Sequence, residues 1–280
     1  MRTNGTILDN VQPMPGSSTS QGSSKECLPV LSKLRVITAD ITVGPFAEQM
    51  SAIVAHGAAH RSSYVCCVNA HMIVEARDPA FARIIAKADF ATPDGMPVLR
   101  AMQLFHRVRQ ERVAGNDILP ALFQKAAAEG LGVFLFGASE EVQQRMVDRA
   151  ARELPALRIV GRYSPPFAPL EAMDLAADAA RIEATGAHMI MVSLGCPKQE
   201  KWMAAMKGRV NGVMLGVGGA FLLYAGIDER APKWMRDLSL EWVFRLCLEP
   251  RRLWKRYLVT NGIFLVLFAI EGIQRLFGKR

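Results

Sequence analysis

His188-Met189-Ile190-Met191-Val192-Ser193-Leu194, followed by Gly195-Cys196-Pro197-Lys198-Gln199-Glu200, decides the fold. The first seven residues form a run too short for a core helix and apolar at neighbouring positions. A strand of that kind is buried on both faces, as in a parallel sheet covered by helices. The glycine stops the strand, and helical spacing resumes over Pro197–Lys207. The same pattern recurs along the chain. Ser63–Val68 runs into Asn69-Ala70-His71, and Ala88–Thr92 into Pro93-Asp94-Gly95. Gly132–Phe136 leads to Gly137-Ala138-Ser139, and Val213–Val217 to Gly218-Gly219-Ala220-Phe221. Arg35–Thr38 and Arg158–Val160 read as further strands. Pro45–Ala59, Asn116–Glu129, Glu140–Glu153, Pro169–Thr185 and Pro197–Lys207 read as helices. Strand and helix in alternation predict an α/β, Rossmann-like fold, with a mostly parallel sheet and helices on both faces.

Ligands of such sheets bind beyond the carboxyl ends of the strands. Gly137, Gly195, Gly218 and Gly219 stand there, where small residues beside helix starts let backbone N–H groups approach an anion. Each loop alone is also an ordinary tight turn; together they point to a phosphate-bearing ligand. Asp94 is the candidate general base, a carboxylate at a strand end able to take a proton from an acceptor hydroxyl. Pro-Asp-Gly is equally a common turn. Arg112 is a candidate partner for a leaving diphosphate or, alternatively, a member of a surface salt bridge.

Several chemistries lack their signatures. Gly216-Val217-Gly218-Gly219-Ala220-Phe221 lacks the third glycine of the dinucleotide fingerprint, and no Walker-type phosphate loop occurs. No Asp-x-Asp pair is present to hold a metal on a sugar diphosphate. His56 and His60 have metal-type spacing but fall off the apolar stripe of their helix, so both are expected at the surface. No metal and no cofactor are expected. Of the five cysteines, the adjacent Cys66 and Cys67 lie within an apolar strand and behave as small hydrophobes, which favours a reducing compartment.

Residues 1–26 contain no apolar core of useful length, so no signal peptide is expected. The tract Pro15–Ser24 is polar and small, and about the first 30 residues are expected to be a disordered tail. The α/β core is assigned to 31–236 and a helical, basic appendage to 237–280. Of the net charge of +8, seven units fall within 230–280, where eleven Lys/Arg face four acids. Beyond Pro250, Arg251, Arg252, Lys255 and Arg256 share one helix face, while Leu253, Trp254, Tyr257 and Leu258 share the other. Ile263–Ile270 then forms an apolar run well short of the ~20 residues a spanning helix needs. This combination predicts a segment lying at an anionic membrane surface rather than a nucleic-acid binder.

The motifs Pro93-Asp94-Gly95-Met96, Glu111-Arg112-Val113-Ala114-Gly115-Asn116-Asp117, Gly195-Cys196-Pro197-Lys198-Gln199-Glu200-Lys201-Trp202, Gly216–Phe221, Arg230-Ala231-Pro232-Lys233-Trp234-Met235 and Leu240-Glu241-Trp242 through Glu249-Pro250-Arg251-Arg252-Leu253 occur in this order. Over roughly Arg35–Tyr257 the chain resembles the WecG/TagA/CpsF family of bacterial glycosyltransferases. The resemblance implies an inverting, metal-independent enzyme of cell-surface polysaccharide or exopolysaccharide synthesis, moving sugar from a UDP-sugar to an undecaprenyl-diphosphate-linked sugar. It implies Asp94 as base, Asn69 and Gln199 as substrate contacts, and Arg245, Arg252 and Arg256, beside Arg251 and Lys255, near the lipid diphosphate; Lys198, next to Gln199 in its strand-end loop, is a further candidate substrate contact. It also implies a cytoplasmic protein attached peripherally to the inner membrane face. The family's Thr-Pro before the Asn is Cys67-Val68 here, which leaves no hydroxyl at position 67. Two other classes stay open: a non-catalytic assembly subunit that binds lipid diphosphate, and a nucleotide-dependent oxidoreductase. Self-association also stays open.

Overall fold

The computed structural model describes residues 28–232, 234–235, 240–248 and 250–278, with backbone alone at Arg245, Arg252, Leu253 and Arg256. The expected N-terminal tail lies almost wholly outside these residues, as does the expected boundary at 236/237.

The chain begins with a two-stranded antiparallel hairpin, β1 (Lys33–Val36) and β2 (Ala39–Thr42). The strand expected over Arg35–Thr38 is therefore corrected, because that stretch straddles a turn. Ile37 adopts a positive φ of 55°, and the Thr38 hydroxyl donates to the Ile73 carbonyl at 2.5 Å. The hairpin leans on the main sheet through Thr42, whose hydroxyl accepts from the Ala91 amide at 2.8 Å.

The main sheet comprises β3 (Ser63–Val68), β4 (Phe90–Pro93), β5 (Gly132–Gly137), β6 (Arg158–Tyr163), β7 (Met189–Ser193) and β8 (Val213–Gly216). All pairings are parallel, in the order β4-β3-β8-β7-β5-β6. β3, β5 and β8 are buried along their whole length, as their unbroken apolar runs require.

One face is covered by α1 (Phe46–Ala58), α5 (Gly115–Glu129), α6 (Glu140–Glu153) and α9 (Ala220–Tyr224). The other carries α2 (Ala70–Glu75), α3 (Pro79–Lys87), α4 (Met96–His106), α7 (Leu175–Glu183) and α8 (Lys198–Met206). Side-chain caps fix several starts: Asn69 for α2, Asp78 for α3, Ser139 for α6 and Asp174 for α7. The Asp174 cap explains a second correction. The helix expected over Pro169–Thr185 divides into a 3₁₀ turn at Leu170–Ala172 and α7.

β3 crosses to β4 over the second face, through α2 and α3, whereas β5 crosses to β6 over the first, through α6. The loops leaving β3 and β5 thus diverge, the arrangement that in open α/β sheets places a ligand crevice above the carboxyl ends of the strands between them, here β8 and β7.

His56 is also corrected: it is buried, not at the surface. Its ring packs edge-on against Phe90, with centroids 4.9 Å apart. Burial depresses its pKa, so the neutral form is favoured there. His60 is exposed and its ring lies 4.2 Å from that of His188.

The C-terminal part folds as α10 (Glu241–Leu248) and α11 (Pro250–Leu276). The short apolar run expected over Ile263–Ile270 is part of one uninterrupted helix. Thr260, Asn261 and Gly262 lie inside it rather than breaking it, and Thr260 is buried. By length and composition, Tyr257–Leu276 is long and apolar enough to cross a bilayer. One side of α11 nevertheless packs on the core. Phe264 is buried, and Phe268 meets Phe105 of α4 with ring centroids 4.8 Å apart. The opposite side, including Leu258, Leu265, Val266, Ile270 and Ile273, is exposed and apolar. Arg251, Trp254 and Lys255 are exposed as well.

Candidate active site

The Asp94 turn stands at the end of β4. Its amide donates to the Val68 carbonyl at 2.9 Å, tying it to the end of β3. Gly95 follows with φ 157°, and a Cβ built there would lie 3.6 Å from Cβ of Asn69. Asp94 and Asn69 thus sit side by side on adjacent strand ends. Asn69 caps α2 with its Oδ1, which accepts from Met72 N at 3.2 Å. That bond orients the side chain and leaves its amide N–H groups for another partner.

Cys67 stands just before Asn69, opposite Thr92 in the parallel register and on the same sheet face. Burial, with the adjacent Asp94 charge, holds its thiol pKa well above the ordinary range. It is a neutral filler, not a nucleophile. The Thr92 hydroxyl is fully buried beside it, within reach of the Cys67 thiol. A hydroxyl therefore lies at this strand end after all, one strand over from position 67.

Gln199 and Glu200 open α8 below the β8 loop. The Gln199 Nε2 donates to Glu200 Oε1 at 2.7 Å. A Cβ built at Gly216 would lie 3.1 Å from that Nε2, and one at Gly218 would lie 3.4 Å from Gln199 Oε1. Glycines at these two positions let the backbone pass close over the amide. Gln199 Oε1 is buried with no partner among the described residues, an arrangement that costs free energy until a donor arrives. Glu200 is fully buried, and that burial raises its carboxyl pKa despite hydrogen bonds from Gln199 and Cys196. The Cys196 thiol is in turn pushed up by burial and by Glu200. Burial thus favours the neutral form of both groups beneath the site.

Lys198 turns outward. Its ammonium donates to the Ala168 carbonyl at 3.1 Å and lies 5.2 Å from the centroid of the exposed Phe167 ring. With Leu194 and Gly195 these residues line a cavity of about 430 Å³ at the end of β7. β7 and β4 are separated by β8 and β3, so this cavity is roughly 14 Å across the sheet from the Asp94 turn.

The loops differ in what they offer an anion. The amides of Asp94, Ala138 and Gly218 already donate to the Val68, Ser193 and Val192 carbonyls. Gly137, at φ 96°, is needed for packing, since a Cβ there would strike the Ser193 carbonyl. Gly195 and Gly219 are exposed.

Arg112 is half-buried and held by two carboxylates. Its Nη1 donates to Glu241 Oε2 at 2.8 Å and its Nη2 to Asp117 Oδ2 at 3.1 Å. Burial opposes the charge, but Glu241 and Asp117 outweigh it and raise the pKa. Asp117 also pairs with Arg230, and Asn116 Nδ2 donates to Glu241 Oε1 at 3.3 Å. This network joins the start of α5 to α10, so Arg112 stands at the seam between the sheet and the C-terminal helices. Asp117, Arg230, Glu241, Glu200, Thr92 and Phe167 were not singled out by sequence reasoning. All but Thr92 and Phe167 lie within the quoted motifs, which was the available signal.

Of the appendage candidates, Arg251 and Lys255 are exposed on the first turns of α11, and the side chains of Arg245, Arg252 and Arg256 lie outside the described residues. Among the described residues no group of three or more His, Cys, Asp or Glu is arranged to hold a metal ion.

The profile of the family described as "Glycosyl transferase WecG/TagA/CpsF family" matches residues 34–277. A protein of Bacillus subtilis (strain 168), described as N-acetylglucosaminyldiphosphoundecaprenol N-acetyl-beta-D-mannosaminyltransferase, is 33% identical over 202 residues, covering 72% of this chain and 77% of that protein. A protein of Bacillus spizizenii (strain ATCC 23059 / NRRL B-14472 / W23) with the same description is 31% identical over 201 residues, covering 71% and 76%.

Proposed function

The chain belongs to the WecG/TagA/CpsF family and is a glycosyltransferase; from that premise we propose that it moves a sugar from a UDP-sugar onto a sugar linked through diphosphate to undecaprenol. The names of the Bacillus proteins make N-acetylmannosamine the first donor sugar to test and N-acetylglucosaminyl-diphosphoundecaprenol the first acceptor. The product feeds assembly of a cell-surface polysaccharide or exopolysaccharide.

The observation that carries this reading is the adjacency of the Asp94 and Asn69 strand ends, with the orphaned Gln199 amide oxygen beside the neighbouring β8 loop. The Asp94 carboxylate takes the proton of the acceptor hydroxyl. The hydroxyl oxygen bonds to the anomeric carbon from the face opposite the diphosphate, and the carbon–oxygen bond to UDP breaks. UDP departs with that electron pair and the sugar centre inverts. Asn69 and Gln199 orient the donor: the Gln199 oxygen takes a donor N–H or O–H and so gains the partner it lacks. Gly137, Gly195, Lys198, Gly218 and Gly219 frame the donor's side of the crevice. Arg112 and the appendage arginines meet the diphosphate charge through oriented hydrogen bonds, without a metal ion.

The core acts at the inner face of the cytoplasmic membrane. The exposed apolar side of α11 lies in the interface, with Arg251 and Lys255 toward anionic headgroups. Because its other side is packed on α2 and α4, this helix is read as surface-docked.

The test is UDP release by the full chain across a panel of UDP-sugars, with a short-chain lipid-diphosphate N-acetylglucosamine, with and without EDTA. Release that depends on both substrates and survives EDTA is expected. No turnover with any donor, or loss on chelation with recovery in Mg²⁺ or Mn²⁺, contradicts the reading.

A further inference from the structure

A second cavity, of about 410 Å³, lies between α4 and the segment 108–112. Both of its walls are anchored to the proposed base. Met96, two residues after Asp94, opens α4 and lines one wall. The other wall is stitched to the same turn, because the Val113 amide donates to the Pro93 carbonyl at 3.0 Å.

Its chemistry is divided. Met96, Leu99 and Val108 give an aliphatic side, while Arg100, Arg109 and Arg112 bring three guanidinium groups to the same space. The charge of Arg112 is answered by Asp117 and Glu241, and Arg230 pairs with Asp117. Arg100 and Arg109 have no carboxylate partner among the described residues. The nearby Glu111 carboxylate is turned to the Phe46 amide, from which it accepts at 2.7 Å. Among the described residues the cavity therefore holds two uncompensated positive charges, matching the two negative charges of a diphosphate diester.

We propose that this cavity binds the diphosphate and first isoprene units of the lipid-linked acceptor, with Arg100 and Arg109 as diphosphate ligands in addition to the appendage arginines. The inference rests on the proposed function and adds a location and two residues to it. A nucleoside fits the cavity poorly: no aromatic ring lines it, whereas the cavity at the end of β7 has Phe167. An aliphatic wall beside paired cations suits an isoprenoid diphosphate. α11 touches α4 near its C-terminal end, through Phe105, on the helix face turned away from the cavity. Phe105 of α4 packs on Phe268, and its carbonyl accepts from Arg275 at 2.9 Å.

The test compares Arg100→Gln, Arg109→Gln and the double variant with the unmodified full chain. Both residues are exposed, so the fold is expected to persist; melting temperatures check this. With a farnesyl-diphosphate-linked N-acetylglucosamine acceptor, the acceptor KM should rise about tenfold or more per substitution. The donor KM and calorimetric UDP affinity should stay within about twofold of the unmodified chain's. Inorganic pyrophosphate should bind the unmodified chain, compete with the acceptor and lose its binding in the double variant. An unchanged acceptor KM overturns the proposal. So does a loss of UDP affinity, which assigns the cavity to the donor. A loss of binding to phosphatidylglycerol vesicles with acceptor KM intact also overturns it, marking the arginines as general membrane contacts. If the unmodified chain transfers no sugar, the proposed function fails alone, and pyrophosphate calorimetry still decides the cavity.

Discussion

Replacing Glu200 by Gln should make the protein more stable at neutral pH, and the gain should grow with pH. Glu200 is fully buried, and burial raises its carboxyl pKa above the ordinary glutamate value of 4.5. The folded state therefore keeps this proton at pH values where the unfolded chain has released it. The resulting stabilisation is fully present below the unfolded pKa and is lost as pH rises through the folded pKa. One such proton gives a slope of about −1.4 kcal/mol per pH unit across that window. For a core of this size that corresponds to roughly 3–6 °C in Tm per unit. A glutamine keeps the acceptor for Gln199 Nε2, now at 2.7 Å, and has no proton to lose. The stability difference between variant and parent should thus be smallest near pH 4.5 and widen upward until the parent's carboxyl ionises. Urea unfolding from pH 4.5 to 8.5 reads this directly. Parallel curves for the two proteins, or a glutamine variant less stable throughout, would refute the account of Glu200 as a neutral group.

Arg112→Met should remove one ion-pair partner of Glu241 while Arg230 still covers Asp117. With these groups partly exposed, a loss of about 1–2 kcal/mol is expected; faster amide exchange over 241–248 checks it, and unchanged protection there counts against the seam. Gly137→Ala combines a positive φ with a clash against the Ser193 carbonyl, so it should cost about 2–4 kcal/mol in denaturant unfolding. Leu265→Asp with Ile270→Asp alters only the exposed side of α11. It should lower vesicle partitioning by about tenfold or more at unchanged core Tm; equal partitioning would mean that this side does not meet lipid.

The sheet was legible because its strands are continuous apolar runs ended by small residues; Ser63–Val68 matches β3 end for end. The hairpin was not, because Ile37 at φ 55° looks like one more strand residue. His56 misled for a related reason. A helical stripe marks the face toward the sheet, but a side chain off that stripe can still be covered, here by Phe90. At the C-terminus, Gly262 reads as a breaker in sequence, yet packing of Thr260 and Phe264 on the core carries the helix through it. The strand-end residues Asn69, Asp94 and Gln199 were reached through motifs and resemblance, and the structure brings the first two side by side. The ion network around Arg112 was out of reach, because it joins residues more than a hundred positions apart.

The account rests on Asp94 as the group that takes the acceptor's proton. Asp94→Asn preserves shape and the Asp94 amide bond to Val68 while removing basicity. Single-turnover transfer from a UDP-sugar to the lipid-diphosphate acceptor, with UDP affinity measured by calorimetry on the same sample, separates chemistry from binding. A fall in the transfer rate of about 10²-fold or more, with UDP affinity within about twofold, is the predicted result. A near-normal transfer rate in that variant would contradict the mechanism.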